Sequence, residues 1–204
     1  MKRRGLLFAA VLLAGAHGAS IAADPRYPDW PCAQAKVPEI SLPAVWAGPP
    51  LDDVGNKWMD DARIRDVVAR LAARRTPLED AERTIAELMT GAKAEKQEKG
   101  KLLFAGLFDT LNAQRAAVMS GLERVTRKQR EAADKIRADT LALHAVQDAA
   151  DPDQAKIDEL ANQLAWQTRI FEDRRRVIQF VCEVPVVIER RLFALGRAVQ
   201  QGME

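Results

Sequence analysis

Between residues 101 and 148 the chain contains no proline, and its apolar side chains return at steps of three, four or seven: Phe104, Phe108, Leu111, Val118, Leu122, Val125, Ala132, Ile136, Leu143 and Val146. That spacing keeps one face of an α-helix apolar. At about 1.5 Å per residue the helix is about 70 Å long, several times the usual globular helix of roughly 11–12 residues. A helix this long with so narrow a stripe has to be covered by a neighbour. The neighbour follows directly, because Asp151, Pro152 and Gln154 supply an N-cap carboxylate, a first-turn proline and an N3 glutamine.

The second run carries Ile157, Leu160, Leu164, Phe171, Ile178, Val181, Val184, Ile188, Leu192, Leu195 and Val199. Folding the chain about Ala149 and Ala150 sets Leu111 opposite Ile188, Val118 opposite Val181, Leu122 opposite Ile178 and Ile136 opposite Leu164. The two stripes share a register, as the helices of an antiparallel coiled-coil hairpin must. Pro185 falls inside the second run and is expected to kink it, since proline removes a backbone donor and crowds the preceding turn. Arg115 faces it from a seam position.

Two shorter helices are expected earlier, at about 53–75 and 77–99, ahead of the long ones at 101–148 and 152–200. Thr76, Pro77 and Glu79 spell a capping box. Residues 92–99 alternate Lys and Glu between Gly91 and Gly100, which reads as a solvated helix. Apolar density is high in 104–125 and 171–199 and thin near the turn, so the base of the hairpin needs cover that its far end does not. The fold class expected is all-α: a helical bundle with a long antiparallel coiled-coil hairpin and an extended Pro-rich N-terminal arm.

That arm, residues 24–51, holds Pro25, Pro28, Pro31, Pro38, Pro43, Pro49 and Pro50, which exclude a regular helix. Trp30, Val37, Ile40, Leu42, Val45 and Trp46 are too apolar for a solvated tail, so the arm is expected to pack on the helices. Stacking of Trp30 and Trp46 on a sugar is the functional alternative to that packing.

Residues 1–23 have the three parts of a secretory signal: Lys2, Arg3 and Arg4, an apolar stretch over 6–16, and small residues Ser20 and Ala22 before a cleavage point. The apolar stretch is shorter than the ~20 residues a spanning helix needs, which favours cleavage over a retained anchor. Without those three basic residues, 28 Lys and Arg face 29 Asp and Glu, so the mature chain is near −1 and general nucleic-acid binding loses its electrostatic basis. The chain is expected in the periplasm or secreted. There its two cysteines, Cys32 and Cys182, are expected to form a disulfide.

Chemistry is hard to assemble from this chain. His144 is the single histidine beyond residue 23, which removes paired Glu-x-x-His di-iron sites, two-histidine zinc sites and a local Ser-His-Asp set. Neither cysteine lies in a Cys-x-x-Cys or haem-attachment motif, and no glycine-rich phosphate loop occurs. Asp148, Asp151 and Asp153 lack the calcium-loop spacing, and capping accounts for Asp151. No catalytic residue, metal or cofactor is therefore expected.

What survives is a charge pattern. Arg124, Arg127, Lys128 and Arg130 on one run and Arg169, Arg174, Arg175 and Arg176 on the other form a basic band midway along the hairpin. Asp134, Asp139, Asp148, Asp151, Asp153, Asp158 and Glu159 make its far end acidic. A solvated coiled coil accounts for much of this. The sharper reading makes the eight cations a candidate interaction surface for an acidic partner or an anionic surface. The functional expectation is an exported, non-enzymatic helical interaction or scaffold protein that binds an envelope protein through the hairpin. A holdase-type periplasmic chaperone is the alternative, and an enzyme with an unrecognised carboxylate site ranks below both. Pairing of two copies along the thin stripe is left open.

Overall fold

A computed structural model describes residues 24–204, and the signal segment expected at 1–23 lies outside them. The described residues form helices with no strands among them: α1 Leu42–Val45, a 3₁₀ turn Gly55–Met59, α2 Ala62–Ala72, α3 Leu78–Leu88, α4 Lys93–Gln147, α5 Gln154–Val181 and α6 Val184–Met203. Among them, no helix is long and apolar enough to cross a membrane.

The boundaries follow local chemistry, and several differ from those the sequence suggests. Where a helix was expected from residue 53, Gly55 instead takes a positive φ of 48° and opens a 3₁₀ turn. Regular helix starts only at Ala62, where the Asp61 carboxylate accepts the Ile64 N–H at 3.0 Å. The capping box at Thr76 is not made, because its hydroxyl donates to the Arg70 carbonyl at 2.8 Å and closes the preceding turn. Glu79 and Asp80 still place negative charge at the start of α3. Gly91, at φ 107°, separates α3 from α4, whereas Gly100 is carried inside α4. Gly100 faces the Met203 sulfur so closely that a Cβ there would collide with it. The Lys and Glu run therefore belongs to the long helix, which reaches 55 residues.

The expected second long helix is two. α5 stops at Val181 and α6 restarts at Val184, with Pro185 in its first turn, where a missing N–H breaks no ladder. At the other end of α5 the cap is Asp153, whose carboxylate accepts the Lys156 N–H at 3.1 Å, so the helix starts two residues past the expected Pro152 position.

The core gathers the first part of α4 against α2 and α6, with α3 packed on α6. Phe104, Leu103, Leu107 and Leu111 meet Ile64, Val68 and Leu71, Ile85 of α3, and Leu192, Leu195 and Val199, all fully buried. Trp46 stacks on Phe104 with ring centroids 4.2 Å apart, and its indole N–H donates to the Pro49 carbonyl at 2.8 Å. Gly196 lets this segment close in, since a Cβ there would stand 2.7 Å from the Val45 carbonyl oxygen. Arg191 of α6 donates from Nε and Nη2 to the Leu71 carbonyl at 2.8 and 2.6 Å, near the C-terminal end of α2. Burial lowers the pKa of that guanidinium.

α4 and α5 join through residues 148–153 and lie side by side, Gln129 Nε2 donating to the Phe171 carbonyl at 2.9 Å. This part is built differently from the core. No residue of α5 is fully buried, and beyond Leu122 α4 buries only Gln129 and Leu143.

Two truncations separate the regions. Phe104→Ala should lower the unfolding free energy by about 3–5 kcal/mol through the cavity it leaves. Leu164→Ala, at a half-buried α5 position, should cost less than half as much, read from urea midpoints at equal slope.

Candidate interaction surface

The junction between the core and the α4–α5 pair is built around one buried cation. Arg115, 3% exposed, donates from Nε to Glu189 of α6 at 2.6 Å. Its Nη2 and Nη1 reach the carbonyls of Val37 and Pro38 at 2.6 and 3.2 Å. Only arginine's fork serves three acceptors on two elements at once. Next to it Cys32 is disulfide-bonded to Cys182, in the break between α5 and α6, and Gln34 Nε2 donates to the Cys182 carbonyl at 2.6 Å. Lys36 pairs with Glu123 at 2.5 Å and lies 4.6 Å from the Tyr27 ring centroid. The proline-bearing segment is thus fastened along α4 by polar contacts and to the α5–α6 break by a covalent one.

The eight cations of the basic band do not share one environment. Arg127 pairs with Asp29 at 2.7 Å, Arg130 pairs with the other oxygen of the same carboxylate, and Arg130 also donates to the Pro28 carbonyl at 3.2 Å. Arg176 pairs with Asp173. Arg124, Lys128, Arg169, Arg174 and Arg175 are exposed and make no ion pair among the described residues. Three of them, Arg124, Lys128 and Arg174, edge a groove of about 530 Å³ between α4 and α5, floored by Val118, Gly121, Leu122, Ile178 and Val181 and walled by Val125 and Val177. Val125 is 39% exposed and Val177 58%. Sequence reasoning found the cations but not this groove. Gly121, three residues after Val118 on the apolar stripe, was the available signal.

Near the turn, charges are largely paired within their own helices: Lys135 with Asp139 at 2.9 Å, Arg137 with Asp134, and Lys156 with Glu159 at 2.8 Å. Such exposed pairs contribute little to stability. The Asp139 carboxyl has a lowered pKa through hydrogen bonds from Lys135 and then Gln167. Asp153 is occupied as the α5 cap, and His144 is exposed in the last turn of α4. Among the described residues no group of three His, Cys, Asp or Glu is arranged to hold a metal ion. Trp46 is taken up in the core and Trp30 donates to the Gln34 carbonyl at 2.7 Å, so packing accounts for both rings.

Comparison with protein-family models, with curated proteins and with solved structures finds no match to the chain.

Replacing Asp29 by Ala frees Arg127 and Arg130. Stability should fall by less than about 1 kcal/mol, while elution from a cation-exchange column shifts to higher salt. Unchanged elution would mean the carboxylate does not mask the band. A lowered carboxyl pKa stabilises the fold above the ordinary value of 3.8, and that contribution is lost as pH falls through the lowered one. The Asp139→Asn variant should accordingly lose less stability than the native chain between about pH 5 and about pH 3, compared by urea midpoints.

Proposed function

We propose that the chain is an exported, non-enzymatic interaction protein, and that α4 and α5 form an antiparallel helical hairpin projecting from the core as a docking arm for an envelope protein. The observation that carries this reading is the absence of any fully buried residue along α5, a helix of 28 residues. A pair of helices that buries so little of its own surface is poor at stabilising a fold and well suited to offering area to another molecule. Leu141, Trp166, Val177 and Phe180 are 71, 63, 58 and 77% exposed on these two helices. Large apolar side chains left in water mark surfaces that meet partners.

Export is supported by the signal pattern of residues 1–23 together with the Cys32–Cys182 bridge, since disulfides persist in oxidising compartments. The periplasm or the exterior is the destination this implies. The proline-rich segment acts as a strap in this reading, held on the arm's root by the bridge, by Arg115 and by Asp29.

The same exposed apolar residues favour a second reading, a holdase that shields unfolded chains. Photo-crosslinkers at Gln163 and at Phe180 in the intact cell, with a control on the core at Arg63, distinguish the two. A docking arm captures one dominant protein from both arm positions and none from Arg63. Replacing residues 130–169 by a short turn then abolishes capture while the α-helical signal of the core and its cooperative unfolding persist. A holdase instead captures many unrelated envelope proteins, and the purified chain suppresses their aggregation near equal molar ratios. Equal capture from Arg63 would end the arm proposal.

A further inference from the structure

The groove edged by Arg124, Lys128 and Arg174 continues beyond them. A second hollow of about 230 Å³, lined by Ala132, Ile136, Trp166 and Ile170 among others, shares Arg174 with the first. The shared lining is periodic. Gly121, Lys128 and Lys135 stand seven residues apart on α4, as do Val177 and Ile170, and Asp173 and Trp166, on α5. Residues seven apart lie on the same flank of a two-helix coil, so the two hollows are one trough along one side of the pair. From Val118 to Ile136 it runs about 27 Å at about 1.5 Å per residue.

We propose that this trough seats a third helix, supplied by a partner protein. The helix is an amphipathic segment of about five turns, apolar on the side that enters the trough and acidic along the flank beside Arg124, Lys128 and Arg174. The inference rests on the reading of the α4–α5 pair as a docking arm and names the chemistry of its partner. Its chief support is complementarity. Three exposed cations without an ion pair among the described residues flank an apolar floor beside Asp173, which Arg176 already holds, whereas their neighbours Arg127 and Arg130 share the single carboxylate of Asp29. Carboxylates on the incoming helix complete the pattern.

The shape favours a helix over a single-chain anionic amphiphile. Apolar lining extends past the cations both toward Val118 and Val181 and toward Ile136 and Trp166. A rod charged along its flank fits that distribution, and a chain charged at one end does not. A second copy's acidic end is the less apt occupant, because Asp134, Asp139 and Glu159 there are held by Arg137, Lys135 and Lys156, and Asp148, Asp151 and Asp158, which stay without an ion pair among the described residues, are gathered about the turn rather than along a flank. Gly121 supplies the depth. A Cβ built on it meets nothing nearer than Arg124 Nη2 at 3.8 Å, so a larger side chain fits the fold while filling the trough.

The test displays a library of 18-residue helices on phage, with apolar residues fixed at coiled-coil spacing and flanking positions varied among Glu, Lys, Gln and Ser, and selects on the chain from Asp24 onward with its disulfide intact. Selected peptides should be rich in Glu on one flank. Gly121→Leu should keep the helical spectrum, hold or raise Tm, and weaken their binding at least tenfold. The triple variant Arg124→Glu, Lys128→Glu, Arg174→Glu should select Lys-flanked helices instead. Three results overturn the proposal: no selection above background, selection indifferent to flank charge, or binding unchanged by Gly121→Leu. Palmitate binding that Gly121→Leu abolishes, without any selected peptide, assigns the trough to an amphiphile and overturns it as well. So does a dimer, seen by sedimentation, that Gly121→Leu dissociates. If a single envelope protein is still captured from Gln163 in the Gly121→Leu chain, the docking arm stands and only its groove is misassigned.

Discussion

Everything in this molecule depends on how the first half of α4 is buried. Phe104, Leu107 and Leu111 bring α2 and α6 around one helix, α3 closes over α6, and Trp46 closes the cluster from the proline-bearing segment. Because α4 is continuous through Gly100 and on to Gln147, the orientation fixed in the core is inherited by everything beyond it. A helix of this length gains its stability from packing at one end and from its own hydrogen-bond ladder at the other. The second half of α4 is covered along one side by α5 rather than by a dense core, and apolar residues along both helices stay exposed.

Arg115 stands where the two regimes meet. Burying a guanidinium is tolerable only when its donors are satisfied, and here a carboxylate of α6 and two carbonyls of the strap do so. The arrangement makes three separated parts of the chain meet at a single side chain. Asp29 repeats the device farther out, one carboxylate serving two arginines of α4. Charges that look like a uniform band in the sequence are divided by these contacts into those already paired and those still open, and three of the five open ones edge the groove.

The all-helical class was legible from hydrophobic spacing, and the Cys32–Cys182 bridge from the even cysteine count and the signal-like pattern of residues 1–23. Pro185 was legible as a disturbance but not as a full break, because its position alone does not say whether the two turns before it stay helical. Gly91 and Gly100 look equivalent in the sequence. They separate only through tertiary contact, Met203 closing over one while the other takes a backbone angle other residues avoid. Thr76 is similar, since its hydroxyl could cap or tie back to Arg70, and local sequence does not choose. The trough was invisible for another reason. A one-dimensional stripe tells which residues face a partner helix, but not which flank of the pair stays open, and Gly121 reads as a weak helix former rather than as missing bulk.

The break between α5 and α6 gives the α4–α5 pair an unequal mechanics. Along α4 a sideways load on the far end travels into the core through an unbroken ladder of hydrogen bonds. Along the other side the ladder changes at Glu183, whose N–H turns to the Phe180 carbonyl at 3.2 Å ahead of Pro185, so bending is concentrated in that short joint. One rail is stiff and the other is articulated, and the covalent bridge to Cys32 sits on the articulation. The strap then works as a check on how far α5 can slide against α4, and reducing the bridge would release that travel without cutting the stiff rail.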